Sequence, residues 1–229
     1  DPAEIVETAK KKGLHGIAVT DHDSIEGGLA AREAAAGKGL IVIVGMEAAT
    51  EVGDIIGLYL KEPVLTKNPL EFIAGVKEHG GIVYIPHPFR YGSGFDDAVY
   101  SKVDGIEGYN GRSSRMAEVD PSYGERRVEK VAREFNLFVL SGSDAHSCRD
   151  IGRGRTIVPA MTEADLRREV TRRNTLLCGP KRSPLTAALS EIGGSVVDRL
   201  RAWMDESRRK SDQQSGPGWD IGGKDKKEE

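Results

Sequence analysis

"LFVLSGSDAH", residues 137 to 146, is an apolar run that ends in an acid and an imidazole. "GIAVTDH", residues 16 to 22, ends the same way. Three further runs lead to one polar residue each: "LIVIVGMEAAT" (40 to 50) to Glu47, "GGIVYIPHP" (80 to 88) to His87, and "VDGIEGYN" (103 to 110) to Asn110. Short runs this rich in β-branched residues read as strands buried on both faces. Helical stretches separate them. One has Asp1 as its cap, Pro2 in first position, Glu4 placed as a capping box requires, and Gly13 at its close. Others span about Ser24 to Gly37, Asn68 to His79 and Pro121 to Asn136, and a last one is capped by Thr162. With "GDIIGLYL" (53 to 60) and "RTIVP" (155 to 159) as further strands, the alternation predicts an α/β fold on a parallel sheet, either open or closed as a barrel.

The polar residues decide between those two. His22, Glu47, His87, Asn110, Asp144 and His146 all fall at or just beyond the C-terminal ends of separate runs. In a barrel those ends converge on one rim, and catalytic residues come from several of them; an open sheet would spread them along a line. No GxGxxG follows a strand and no GxxxxGK[ST] occurs, so the phosphate turns of nucleotide-binding sheets are absent. The expectation is a distorted barrel of the TIM type.

Composition narrows the function. The 229 residues, 38% of them hydrophobic, suit one compact domain with trimmings. Against 36 acidic residues stand 33 basic ones, and a net charge of -3 recruits neither nucleic acid nor an anionic membrane. Cys148 and Cys178 form no CxxC, which argues against a disulfide scaffold or zinc ribbon and for a reducing, cytoplasmic setting. The apolar run at 40 to 49 is too short to span a bilayer, which takes about 20 residues.

Imidazole with carboxylate is the ligand set of zinc, manganese or iron. Asp144 and His146, two apart on an extended stretch, point to one face and can grip one ion or two neighbours; Glu47 can bridge two ions with its two oxygens. A lone strand-end histidine is ordinarily a hydrogen-bonded structural residue. Here His15 and His79 read as helix-end residues before glycine, while His22, His87 and His146 all stand at strand ends beside acids or prolines.

"TDHD" (20 to 23), "GMEAAT" (45 to 50), "PHPFR" (86 to 90), "IEGYNGR" (106 to 112) and "SGSDAHS" (141 to 147), taken in that order, resemble the PHP superfamily of polymerase and histidinol phosphatase metallohydrolases. The resemblance covers about residues 1 to 178. It implies a distorted (β/α)7 barrel with two or three divalent metal ions (Mn, Zn or Fe) and hydrolysis of phosphoesters: a small phosphate monoester, a nucleotide or a short oligonucleotide. It also implies that His22, Glu47, His87, Asp144 and His146 are metal ligands, that Asp144 and His146 are central to catalysis, and that Asn110 occupies a position that is often a ligand. Family members open on a strand carrying an HxH pair, and nothing of that form precedes the first helix here. The apolar side of that helix (Ile5, Val6, Ala9) is also expected to need a preceding partner. The expectation is therefore that the first strand lies outside this chain, which leaves the 229 residues short of a full ligand set.

A hydroxide held between two metal ions is a nucleophile at neutral pH. Ser141, Ser143 and Ser147 have no histidine to spare as a base, so a serine nucleophile is not expected. Arg90 and Arg112 are placed to fork onto phosphate oxygens as substrate-binding residues, or else are loop charges. A non-catalytic PHP-like scaffold or partner-binding module is the alternative; an HxH upstream would decide for the enzyme. A C–N hydrolase on a similar barrel lacks a strand-end lysine for a bridging carbamate. The basic side of the helix after Thr162 (Arg167, Arg168, Arg172, Arg173) invites nucleic acid, but interspersed acids make it read as a solvated face. The expected organisation is a barrel over 1 to 180, an amphipathic helix over 184 to 206 (Leu185, Leu189, Ile192, Val196, Leu200, Trp203) and a disordered polar tail over 207 to 229.

Overall fold

The computed structural model describes residues 1–90, 94–112 and 121–178. The helix and tail expected beyond residue 184 lie outside the described residues, as does part of the glycine-rich stretch after Arg90.

The helices start where their caps place them. α1 (Pro2–Lys11) opens with the Asp1 carboxylate accepting the Ala3 N–H at 2.8 Å. α3 (Pro69–Glu78) opens with the Asn68 side chain accepting from Leu70 and Glu71. The last helix, α6 (Glu163–Thr171), opens with Thr162 Oγ1 accepting the Asp165 N–H at 3.1 Å. Each satisfies donors that the first turn leaves orphaned. α2 (Glu26–Ala34) is shorter than the expected span because residues 35–39 turn away, with Gly37 and Gly39 at φ of 70° and 69°. α4 (Asp97–Tyr100) is a single turn, and α5 covers Pro121–Glu134.

Six strands form one curled sheet in the order β1 (Gly16–Val19), β2 (Ile41–Thr50), β3 (Gly53–Leu58), β4 (Ile82–Ile85), β5 (Gly105–Asn110), β6 (Phe138–Gly142). The fold is α/β, as expected, but the sheet is mixed rather than parallel. β1 with β2, β4 with β5 and β5 with β6 are parallel, whereas β3 is antiparallel to both neighbours. The cause is local. Only Glu51 and Val52 separate the paired residues Thr50 and Gly53, and a parallel partner needs a crossover of about a dozen residues. The expected parallel repeat is therefore interrupted at β3. "RTIVP" supplies β7 (Arg155–Ile157), which pairs with β8 (Leu176–Cys178) in a separate antiparallel ribbon. That ribbon meets the edge of β6 through hydroxyls: Thr156 Oγ1 accepts the Ser141 N–H at 2.8 Å and donates to the Ser141 carbonyl at 3.3 Å, and Thr175 donates to the Val139 carbonyl at 3.1 Å.

Apolar packing covers both faces. Met46, Ile55, Phe72, Ile73, Val83, Ile85 and Ile106 fill one core beneath α3 and α5, and Val6, Ala9, Ala31, Val42 and Ile151 join α1 and α2 to the sheet. No helix among the described residues is long and apolar enough to cross a membrane.

β2 and β3 come close enough at Gly45 that a Cβ there would lie 2.6 Å from the Gly57 carbonyl oxygen, a backbone atom that cannot step aside. Gly45→Ala is therefore expected to cost about 1 to 3 kcal/mol of stability, read as a lowered urea midpoint at unchanged slope.

Candidate metal centre

The candidate residues gather because the ends of successive strands gather. Beyond β1, the chain stays in register with β2 through a parallel bridge between His22 and Glu47, with the Asp23 N–H on the Glu47 carbonyl and the Glu47 N–H on the Asp21 carbonyl, both at 3.1 Å. Since β3 runs the opposite way, its beginning, not its end, lies at this rim: Asp54 pairs with Ala49, two residues beyond Glu47. His87 follows β4 by two residues, with its backbone at φ 29°. Its Nε2 lies 3.1 Å from Glu47 Oε1 and 3.7 Å from Asp54 Oδ2. One ligand atom each from Glu47, Asp54 and His87 falls within 4.8 Å of the others, and one nitrogen with two oxygens suits zinc, manganese or iron. The residues present fit a divalent cation on that ground.

A second group continues from the first. Glu107 on β5, 3% exposed, accepts the His87 backbone N–H at 2.6 Å and the Asn110 side-chain amide at 2.9 Å, both on Oε2. The same Asn110 amide lies 3.3 Å from Asp144 Oδ2. Arg90 pairs with Asp144 and approaches Asn110 Oδ1 at 3.4 Å. The Arg112 backbone N–H also donates to Asn110 Oδ1, at 3.0 Å, and its guanidinium is 3.8 Å from Asp144. Arg112 Nη1 further rests against the His146 ring, 2.7 Å from Nδ1 and 2.6 Å from Nε2, and that ring is 3.4 Å from Asp144. An unbroken series of contacts thus runs from Glu47 to His146.

Burial and charge act in opposite directions here. Desolvation pushes the Glu107 carboxyl up to about 7, although the Asn110 amide and His87 N–H favour its charged form. Asp54 is raised by burial and by Glu47, with His87, His22 and Arg90 pulling the other way. Burial also opposes charge on Asp144, but Arg90 outweighs it and holds that carboxyl low. Burial disfavours a charged His87, yet its hydrogen bond to Glu47 raises it overall.

Of the residues singled out from the sequence, Glu47 and His87 enter the three-atom cluster. His22 stands beside Glu47 by backbone register with its side chain exposed, while Asn110, Asp144, His146, Arg90 and Arg112 form the second group. Asp54 and Glu107 were not singled out. The two-residue turn between Thr50 and Gly53 was the signal for Asp54, since a hairpin returns it to the rim; an acid inside the apolar run "VDGIEGYN" was the signal for Glu107. The basic helix α6 has internal partners: Arg167 with the Gly80 carbonyl, Arg168 with Asp165 and Glu169, Arg172 with Glu169, Arg173 with the Asn136 carbonyl.

Comparison with known proteins matches residues 1–131 to the PHP domain model and residues 124–175 to the PHP-associated model. The chain belongs to the PHP domain family. Among curated relatives, the uncharacterized protein MJ1587 of Methanocaldococcus jannaschii is 36% identical over 113 residues, 48% of this chain and 66% of the relative. MJ0417 of the same organism is 28% identical over 120 residues, 48% of each chain. The alignments thus span about two thirds and about half of those relatives. Among solved structures, a two-domain protein from Bacteroides vulgatus containing a predicted PHP-like metal-dependent phosphoesterase superposes with TM-score 0.66 at 20% identity, covering 78% of this chain and 60% of that one. PsfC from Pseudomonas syringae gives 0.59 at 19%, covering 84% and 89%. An amidohydrolase from Chromobacterium violaceum with bound sulfate and no metal gives 0.54 at 16%, covering 79% and 93%. These likenesses establish a shared fold.

The Glu107 carboxyl, raised in the folded protein, stabilises the fold fully below the ordinary carboxylate value near 4.5, and that contribution is lost as pH rises toward about 7. In metal-free protein, the stability of the natural chain relative to Glu107→Gln should fall by up to about 3 kcal/mol between those pH values, measured by urea unfolding across the range.

Proposed function

We propose that the protein is a metal-dependent phosphoesterase acting on a small phosphorylated substrate: a phosphate monoester, a nucleotide or a short oligonucleotide. The observation that carries the reading is the convergence of Glu47, Asp54 and His87 ligand atoms within 4.8 Å at a rim that also bears two guanidiniums. Divalent manganese, zinc or iron, when bound, supplies a nucleophile at neutral pH and neutralises charge on phosphoryl oxygens.

The chain's own residues divide the remaining work. Glu47, Asp54 and His87 hold one cation, with His22 alongside Glu47. Asp144 and His146, steadied by Asn110, hold a second. Arg90 and Arg112, planar forks that match phosphate bidentately, orient the substrate. Glu107 fixes the His87 backbone and the Asn110 amide, and such outer partners set ligand orientation. Nucleic acid as a stable partner finds no support in α6, whose arginines are engaged within the chain.

The test is purification with manganese or zinc and a screen of phosphate mono- and diesters. Asp144→Asn is expected to abolish turnover while the circular dichroism spectrum persists, and unchanged hydrolysis would exclude Asp144 as an essential ligand. Asp54→Asn is expected to weaken manganese binding by about tenfold or more, read by titration calorimetry. A chain that binds manganese yet turns over no phosphoester would favour the non-catalytic scaffold.

A further inference from the structure

β1 and β6 stand at opposite ends of the sheet order and share no ladder hydrogen bonds. Among the described residues, contacts of other kinds join the segment before β1 to the segment after β6. Lys12, the C-cap residue of α1, supplies one. Its ammonium lies 3.1 Å from the Cys148 carbonyl, 2.8 Å from that of Arg149 and 2.8 Å from that of Ile151. An ammonium has three N–H donors, so all three are engaged across 136 to 139 positions of sequence.

The turn so gripped is the one that follows Asp144 and His146. Ser147 Oγ donates to Asp150 Oδ2 at 2.8 Å within it, and the Asp150 N–H returns to the Ser147 carbonyl at 3.0 Å. Ile151 packs in the cluster of Val6, Ala9 and Val19, so apolar contact and the ammonium pull on the same turn from the same helix. Asp144 itself sits at φ 49°, a left-handed backbone that persists only where its surroundings over-determine it.

We propose that Lys12 is a positioning residue for the metal centre: a cationic latch that joins the first helix to the turn after β6 and so sets the Asp144–His146 half of the site against the Glu47–Asp54–His87 half. The proposal rests on the reading that both halves hold divalent cations. It makes Lys12 specific to one half. Deleting its charge loosens Asp144 and His146 and leaves the other ligands, on β2, β3 and β4, where they are.

The experiment uses the full chain with Lys12→Met and Lys12→Arg, alone and combined with Asp144→Asn or Asp54→Asn, and reads Mn2+ binding by titration calorimetry and amide hydrogen exchange by mass spectrometry. In Lys12→Met, residues 147 to 153 should lose exchange protection while β2 and β4 keep theirs. Mn2+ affinity should fall about 10- to 100-fold in the Asp54→Asn background, and no further in the Asp144→Asn background. Lys12→Arg, whose donors reach the same carbonyls, should recover most of both signals. Equal weakening in the two backgrounds, undiminished protection at 147 to 153, or loss of protection throughout β2 and β4 would each overturn the latch. Failure of the unmutated chain to hydrolyse any phosphoester would instead refute the proposed activity, and neither readout used here depends on it.

Discussion

Crowding of negative charge is the constraint around which this fold is arranged. Glu47, Asp54, Glu107 and Asp144 are brought to one end of a single sheet, where burial and a neighbouring carboxylate both penalise the ionised forms of Asp54 and Glu107. The chain compensates with His87 on Glu47, Arg90 on Asp144, and a backbone N–H together with the Asn110 amide on Glu107. Of the six non-glycine residues at positive φ among the described residues, three lie at this end and Tyr59, Asn136 and Arg173 lie elsewhere. Asp23, His87 and Asp144 all adopt positive φ without being glycine, the kind of backbone outlier that marks a site shaped for binding rather than for stability alone.

The reversed direction of β3 is what makes the gathering denser than a plain parallel sheet would allow. A parallel strand delivers its C-terminal end to the rim. The β2–β3 hairpin delivers the end of one strand and the beginning of the next, so that Glu47 and Asp54 arrive from adjacent strands with no crossover between them. Gly45 lets those strands approach closely where a Cβ would collide with the Gly57 carbonyl oxygen, and a Cβ at Gly57 would instead meet the Val76 side chain of α3.

Much of this was legible in the sequence, for definite reasons. Helix starts were readable because capping is local chemistry: Asp1, Asn68 and Thr162 each accept first-turn N–H groups. The rim residues were readable because imidazoles and carboxylates recur at the ends of several β-branched runs, and the ends of neighbouring strands meet. The direction of β3 was not, since periodicity reports which residues are buried and says nothing of strand polarity; only the shortness of the turn at Glu51 and Val52 carried that information. Glu107 was hidden by the same limit, because a lone acid in an apolar run identifies a buried charge without naming its partners. The separate β7–β8 ribbon escaped because three-residue strands give too short a pattern to assign to one sheet or another.

The hydroxyl contacts of Thr156 and Thr175 with the outer edge of β6 carry one further consequence. A terminal strand normally offers a row of unused amides and carbonyls to any extended chain nearby, the starting point for fibrillar self-association. Here the Ser141 amide and the carbonyls of Ser141 and Val139 are occupied by side chains, which do not propagate a ladder as a neighbouring strand would. Two threonines thereby keep the margin of the sheet from templating growth, with the short ribbon standing as a guard over it.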